Sequence, residues 1–316
     1  MYSLEGYGKM ASDRLRSEAY LAALGRTVRQ GSVVVDLGCG PGMFALHACR
    51  LGARKVYAIE PGDSIQIARD LAQANGFSDR IECIQALSAE VTLPEPADVI
   101  VADLRGILPF YGQSLSSMID ARQRFLAPGG VVIPQSDRVW GALLQAPETY
   151  QRSVLSWETA LHGFDRSVIQ ALTANSIYKI RTSPDEYLAA PAPIAAINYQ
   201  STDSPLCRGK GLWTVSHAGT AHGLGLWFDT VLAEGAVFSN APDRPELLYG
   251  VAFFPFQQPL PVRAGDELHV QIDADPVGAD YIWRWNSTLN GRSRFEQSTF
   301  FGMPLSADSL RRISYL

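Results

Sequence analysis

Short apolar runs alternate with amphipathic segments along the first 134 residues. The apolar runs predict buried strands at 33–37, 56–60, 81–85, 98–102 and 131–133. The amphipathic segments predict helices at 10–25, 43–50, 64–74 and 114–125, and Ala-Pro-Gly-Gly at 127–130 predicts a turn. Strands and helices that alternate in this way are typical of a doubly wound parallel sheet.

The pattern changes after Pro134, where short strand-like runs separated by turn residues become frequent. These runs predict strands at 224–232, 248–254, 267–272 and 281–285, and a helix is expected at 148–161. Such spacing is typical of an antiparallel barrel or sandwich. All six tryptophans lie after Pro134, and we expect four of them in a sheet core: Trp213, Trp227, Trp283 and Trp285. We therefore predict two domains, at 1–134 and 135–316.

Composition and charge argue against several classes of protein. Hydrophobic residues make up 47% of the chain and charged residues 19%, which allows a sizeable core. The formal net charge of −5 argues against non-specific binding to nucleic acid. No stretch approaches the roughly 18 apolar residues that span a bilayer. No secretory signal follows Met1, so we expect a cytoplasmic protein. The four cysteines have no zinc-type spacing, and no metal site is expected.

A glycine-rich turn follows the first predicted strand, and an acid ends the second. Asp36 precedes Gly38, Gly40 and Gly42, and Glu60 lies about 20 residues further on, where a carboxylate suits the hydroxyls of a ribose. Glycines let the backbone approach a ligand where a Cβ atom would collide. The two features together predict an adenosine pocket at the carboxyl ends of parallel strands.

The spacing of the glycines distinguishes between adenosine cofactors. A dinucleotide site has the spacing G-x-G-x-x-G, whereas this turn is G-x-G-x-G and contains Pro41. Asp36 would repel a pyrophosphate but suits a cationic amino-acid group. The turn resembles the S-adenosylmethionine site of Rossmann-like (class I) methyltransferases, and we therefore expect S-adenosyl-L-methionine as the cofactor. A nicotinamide enzyme is a minor alternative.

Motifs outside this turn resemble those of the protein arginine methyltransferase family, and the resemblance covers nearly the whole chain. The matching motifs are Met10-x-x-Asp13-x-x-Arg16-x-x-x-Tyr20, Gly52-Ala53-Arg54-Lys55-Val56, Leu93-Pro94, Ile133-Pro134, Gly163-Phe164-Asp165, Phe238-Ser239 and Pro261-Val262-x-Ala264-Gly265-Asp266. The resemblance implies a class I methyltransferase domain followed by an antiparallel β-barrel. It also implies a helical arm near 147–172 that joins two subunits into a homodimer.

The resemblance further implies roles in the cofactor site. It assigns the cofactor carboxylate to Arg16, the amino-acid part to Asp36 and the glycine turn, the ribose to Glu60 and the adenine to Ser88. In the family an acid beside this serine binds the adenine amine, whereas Ala89 occupies that position here. A different interpretation of Arg16 is an exposed ion pair with Asp13 on one helix face.

The acceptor site departs from the family pattern. The family has two glutamates in the loop after the fourth strand and a Thr-His-Trp triplet in the barrel. Here Asp103 occupies the first acid position, and the second falls on Gly112 or Gln113. Arg105 adds a positive charge to the loop, and the triplet is Leu247-Leu248-Tyr249.

These changes determine the acceptor that we expect. Two carboxylates can make bidentate hydrogen bonds to a guanidinium. One aspartate cannot make these bonds and also polarise the attacked nitrogen. An inward Arg105 would repel the guanidinium by like charge. We therefore expect a small-molecule or other non-arginine acceptor, with Asp103 as the candidate base and Arg105 and Tyr249 lining the pocket. Two alternatives remain open. One is a divergent arginine N-methyltransferase that uses Asp103 and Gln113, and the other is a catalytically silent dimer that binds the cofactor.

Overall fold

The computed structural model describes residues 3–157, 164–165 and 167–302. Its first half contains the strands β1 (Val33–Leu37), β2 (Lys55–Ile59), β3 (Ile81–Ile84), β4 (Ala97–Ala102) and β5 (Leu126–Ile133). Helices α3 (Met43–Arg50), α4 (Ile65–Ala74) and α5 (Ser114–Phe125) lie between them in the chain. The five strands form one parallel sheet in the order β3-β2-β1-β4-β5. The predicted doubly wound parallel sheet is confirmed.

The strand order places the carboxyl ends of β1, β2 and β4 beside one another. Leu37 at the end of β1 is opposite Ile59 on one side and Ala102 on the other. The chain changes direction across the sheet between β1 and β4, and open α/β sheets bind their ligands at such a point. Val35 and Ile100 are fully buried here, because helices cover both faces of the sheet.

Two predicted elements differ from the structure. The single helix expected over 10–25 is two helices, α1 (Leu4–Ser12) and α2 (Arg14–Thr27), which meet at Asp13. The Asp13 carboxylate accepts a hydrogen bond from the Arg16 amide at 3.3 Å, and this cap begins a new helix. The turn expected at 127–130 lies inside β5, because pairing with β4 already begins at Leu126.

Two antiparallel sheets lie in the second half of the described structure. The first contains β6 (Ser136–Leu144), β7 (Tyr178–Ile180), β8 (Ala192–Asn198), β10 (Gly219–Ala233), β11 (Ala236–Ser239) and β12 (Val251–Val262). Its order is β7-β12-β10-β6-β8, with β11 paired to β10. The second contains β9 (Cys207–Thr214), β13 (Glu267–Val277), β14 (Asp280–Leu289) and β15 (Arg292–Ser298), in the order β15-β14-β13-β9.

Aromatic residues fill the space between the two antiparallel sheets. The ring of Phe254 meets the rings of Trp283 and Trp285 at centroid distances of 5.3 Å. Trp213 and Trp227 are also buried. The expected place of these four tryptophans in a sheet core is therefore confirmed.

The parallel sheet ends at Ile133 and the first antiparallel strand begins at Ser136, on either side of the cis peptide bond between Ile133 and Pro134. Helices α6 (Pro147–Ser153) and α7 (Ser167–Ala174) occupy the segment expected as the helical arm. The helix predicted at 148–161 and the arm near 147–172 lie partly outside the described residues. Within the described ranges, no helix is long and apolar enough to cross a membrane.

Candidate active site

The turn after β1 brings the backbone close to its neighbours at two glycines. Gly38 and Gly40 have φ angles of +67° and +50°, which L-amino acids with side chains rarely adopt. A Cβ atom on Gly40 would lie 2.8 Å from the ring of Tyr7 on α1, and one on Gly38 would overlap Leu104. The turn therefore forms a narrow cradle that only glycine permits.

Glu60 holds this turn from the end of β2. One carboxylate oxygen accepts a hydrogen bond from the Gly40 amide at 3.1 Å, and the other accepts one from the Gly62 amide at 2.8 Å. Glu60 is half-buried beside the cradle. Its place at the strand end is the one that the sequence predicted.

Asp36 lies beneath the same turn. One carboxylate oxygen accepts a hydrogen bond from the Ala45 amide at 2.8 Å, which caps the start of α3. The other oxygen is buried and has no hydrogen-bond partner among the described residues. Burial raises the pKa of Asp36 to about 7; the Ala45 amide opposes this rise and the charge of Glu60 adds to it. An unpartnered carboxylate oxygen at this point suits a cationic ligand group.

Two cavities flank the turn, and Gly38 lines both of them. The first, of about 210 Å³, lies between the turn and the N-terminal helices, and its polar lining includes Arg16 and Asp103. The second, of about 230 Å³, is lined by residues that include Ser88 and Gln113. Asp36 and Glu60 line neither cavity and lie directly beneath and beside the turn. The glycine cradle, with the unpartnered oxygen of Asp36 beneath it, fits the amino-acid part of S-adenosylmethionine.

Asp103 follows β4 and is held by two arginines and a tyrosine. Its Oδ2 atom accepts hydrogen bonds from Arg16 Nε at 2.5 Å and from the Tyr249 hydroxyl at 2.7 Å. Its Oδ1 atom accepts from Arg105 Nε at 3.2 Å and Nη2 at 3.1 Å. Burial acts to raise the pKa of Asp103, but the two arginine charges and the tyrosine hydroxyl outweigh it and hold the pKa below its usual value. Asp103 is therefore ionised at neutral pH.

Arg105 points into the protein. It is 7% exposed and donates to Asp137 Oδ1 at 3.0 Å and Thr230 Oγ1 at 2.8 Å, and also to the Tyr20 hydroxyl. Arg105 and Tyr249 were expected to line the acceptor pocket. Both lie behind Asp103 and line neither of the two cavities.

Arg16 is likewise not part of an exposed pair with Asp13. It is 5% exposed, lines the first cavity and bonds to Asp103. Asp13 instead accepts a hydrogen bond from the Leu248 amide at 2.8 Å, within the barrel triplet. Lys179 Nζ donates to the Leu248 carbonyl at 2.5 Å. Leu248 of the triplet is therefore held by Asp13, between α1 and α2, and by Lys179 on β7.

Several residues of this site were missed by sequence reasoning. Asp137, Tyr199 and Thr230 form the far side of the Arg105 pocket, and no local motif marks them. Tyr7 covers the glycine turn and shares a hydrogen bond of 3.0 Å with Ser64. For the Arg105 pocket, the sequence offers one signal, which is that Asp137 is an acid shortly after the end of the parallel sheet.

Comparisons with known proteins agree with this geometry. Residues 17–136 match the family model for ribosomal protein L11 methyltransferase, and residues 142–286 match that for the arginine methyltransferase oligomerization subdomain. The fold and the site thus define a class I S-adenosylmethionine-dependent methyltransferase.

Relatives among characterised proteins identify the family. An arginine Nω-methyltransferase of Streptomyces achromogenes subsp. streptozoticus is 30% identical over 83% of this chain and 74% of that protein. Protein arginine N-methyltransferase 2 of Mus musculus is 28% identical over 83% of this chain and 62% of that protein. The chain belongs to the arginine methyltransferase family.

Solved structures share the fold. A chain of the Trypanosoma brucei PRMT1 enzyme–prozyme complex matches with a TM-score of 0.81 and 21% identity, over 92% of this chain and 96% of that one. Arabidopsis thaliana protein arginine methyltransferase 10 matches with a TM-score of 0.80 and 22% identity, over 94% and 97%. The predicted combination of a Rossmann-like sheet with an antiparallel barrel-type domain is confirmed.

Proposed function

We propose that this methyltransferase acts on a guanidino nitrogen of arginine or of a small arginine-like molecule. The observation that carries the proposal is the position of Asp103, an ionised carboxylate in the lining of the cavity beside the glycine cradle. A planar cation such as guanidinium needs a carboxylate partner. The names of the relatives support this acceptor, whereas the sequence alone favours a non-arginine acceptor.

The cofactor would lie across the two cavities. Its sulfonium would supply an activated methyl group. Arg16 lines the first cavity and carries the charge that a carboxylate requires. Asp36 offers its unpartnered oxygen to an ammonium group, Glu60 would exchange loop amides for ribose hydroxyls, and Ser88 lines the cavity suited to adenine.

Asp103 would orient the acceptor more than it would remove a proton. Its lowered pKa makes it a weak base. Methyl transfer to a correctly placed nitrogen can draw much of its rate from orientation alone. Tyr249 would act as a positioning residue, since its hydroxyl holds the Asp103 carboxylate and it lines neither of the two cavities.

Incubation with radiolabelled S-adenosylmethionine tests the proposal. Free arginine, arginine-rich peptides and lysine-rich peptides would be compared, with mass spectrometry to locate the methyl group. We expect methylarginine from the wild type and roughly ten- to a hundredfold less from Asp103→Asn, because a hydrogen bond to a charged group is worth about 1.5–3 kcal/mol. Asp203→Asn is the matched control, because the Asp203 carboxylate is exposed at the surface and paired with Arg122. Cofactor binding without any methylarginine would contradict the proposal.

A second candidate acceptor is an uncharged small molecule. The charges of Arg16 and Arg105 are balanced by those of Asp103 and Asp137, so the buried cluster is neutral without a substrate. A neutral acceptor would keep this balance. Methylation of hydroxyl compounds in a screen that yields no methylarginine would favour it.

We infer that the chain forms a homodimer through the helical segment. Large apolar side chains are exposed there, and exposed apolar patches mark interaction surfaces: Trp157, Phe164, Val168 and Leu172. Light scattering after gel filtration should give twice the monomer mass for the wild type and the monomer mass for Val168→Glu. A monomeric wild type at micromolar concentration would contradict this inference.

A further inference from the structure

The guanidinium of Arg105 occupies a pocket in which every one of its donors is satisfied. An arginine carries five N–H groups. Nε and one N–H of Nη2 donate to Asp103 Oδ1, and the two N–H groups of Nη1 donate to Asp137 Oδ1 and Thr230 Oγ1. The last N–H, on Nη2, donates to the Tyr20 hydroxyl. This is a complete guanidinium site, built from two carboxylates and two hydroxyls.

The walls of the pocket are equally suited to a planar cation. Four aromatic rings lie with their centroids 5.1 to 5.8 Å from the central carbon of the guanidinium, within the range of cation–π attraction: Tyr20, Phe228, Phe238 and Tyr249. Asp137 is fixed in turn by hydrogen bonds from the Tyr199 hydroxyl at 2.6 Å and the Thr230 hydroxyl at 2.7 Å. The site is therefore held in place by residues other than Arg105.

We propose that Arg105 is the specificity-determining residue of the acceptor site. Its guanidinium occupies the Oδ1 atom of Asp103 and so weakens the attraction of that carboxylate for cationic acceptors. Both hydrogen bonds at Oδ1 come from Arg105, so an acceptor meets only Oδ2, which Arg16 and Tyr249 already share. Arg105 also repels a second guanidinium by like charge. The part of this proposal that concerns acceptors rests on the proposed arginine methylation, whereas the guanidinium site does not.

Chemical rescue tests the guanidinium site without any catalysis. Arg105→Ala should unfold at a lower temperature than the wild type, and low-millimolar methylguanidinium should raise its melting temperature in a saturable way. Equal concentrations of sodium chloride should not. The control is Arg80→Ala, because Arg80 donates to the backbone carbonyls of Cys49 and Ala53 and leaves no carboxylate behind. Equal responses of the two variants would overturn the proposal.

The same test applies if Arg105→Ala does not fold alone. The yield of refolded protein would then be measured with and without methylguanidinium. A higher yield in its presence, absent for Arg80→Ala, supports the site, and an unchanged yield overturns it.

Steady-state kinetics test specificity. In Arg105→Met, and in Arg105→Met/Asp137→Asn, which keeps the charges balanced, we expect kcat/KM for the arginine acceptor to rise on the order of tenfold through a lower KM. A purely structural role would lower kcat and leave KM unchanged, which would overturn the proposal. Absence of methylarginine from wild type and variants alike would instead refute the proposed function, and the rescue experiment would still decide the site.

Discussion

The wild type should lose stability as the pH rises, because the Asp36 carboxyl beneath the glycine turn is buried. The Asp36→Asn variant should lack this loss. The wild-type carboxyl is 1% exposed, and burial raises its pKa from 3.8 to about 7. An asparagine has nearly the same shape and its carbonyl can still accept the Ala45 amide hydrogen bond at 2.8 Å. It carries no charge at any pH, and so it avoids the burial of a carboxylate.

The sign and the size of this change in the free energy of unfolding follow from the pKa values of Asp36 in the folded and unfolded states. A carboxyl whose pKa is higher in the folded than in the unfolded state contributes stability at low pH that is lost as the pH rises. A rise of this size in the pKa of Asp36 corresponds to at most ~4 kcal/mol, lost between about pH 4 and pH 7. The variant lacks this loss. At pH 8 Asp36→Asn should therefore be more stable than the wild type, and at pH 4 the two should be nearly equal.

Urea unfolding of the cofactor-free protein from pH 4 to pH 8 measures this difference. Asp203→Asn, at the surface, should follow the wild-type curve. Calorimetry in buffers of different ionisation enthalpy should also show that S-adenosylmethionine binding releases a proton near pH 6, because a nearby ammonium favours the ionised carboxyl. Parallel stability curves for wild type and Asp36→Asn would refute the reasoning.

Three further predictions concern Glu60 and Gly40 at the glycine turn and Tyr249 beside Asp103. Glu60→Gln keeps one acceptor for the amides of Gly40 and Gly62 but loses the charge, and calorimetry should show roughly tenfold weaker binding of S-adenosylmethionine; unchanged affinity would contradict its role. Gly40→Ala places a Cβ at φ +50° and 2.8 Å from Tyr7, and thermal unfolding should show a loss of roughly 1–3 kcal/mol. Gly25→Ala, which meets nothing within 4 Å, should show no such loss. Tyr249→Phe removes the 2.7 Å hydrogen bond that helps to lower the pKa of Asp103. The pKa of Asp103 should rise, and the acidic limb of the pH–rate profile should move to higher pH. An unmoved limb would count against this role of Tyr249.

The parallel sheet was predictable because each of its strands has a local signature. Buried parallel strands are short and almost wholly apolar, and the predicted bounds agree with the structure to within about two residues for β1 to β4. The glycine turn and Glu60 were predictable for the same reason, since the motif lies within one strand–turn–helix–strand unit. The N-terminal helix was not, because the cap at Asp13 interrupts an amphipathic pattern that continues across it.

The direction of Arg105 could not be derived from local sequence. Its partners Asp137 and Thr230 lie 32 and 125 residues away along the chain. A lone arginine after a strand is ordinarily solvated. The burial of Arg105 depends on an acid and aromatic rings from four other elements, α2, β6, β10 and β11. The arrangement of charges behind Asp103 is therefore a property of the tertiary structure.

Asp13 gives the enzyme a mechanical link between its two halves. One oxygen of its carboxylate begins α2 through the Arg16 amide, and the other holds the Leu248 amide in the barrel triplet. The start of α2 and the barrel triplet therefore depend on the position of a single carboxylate.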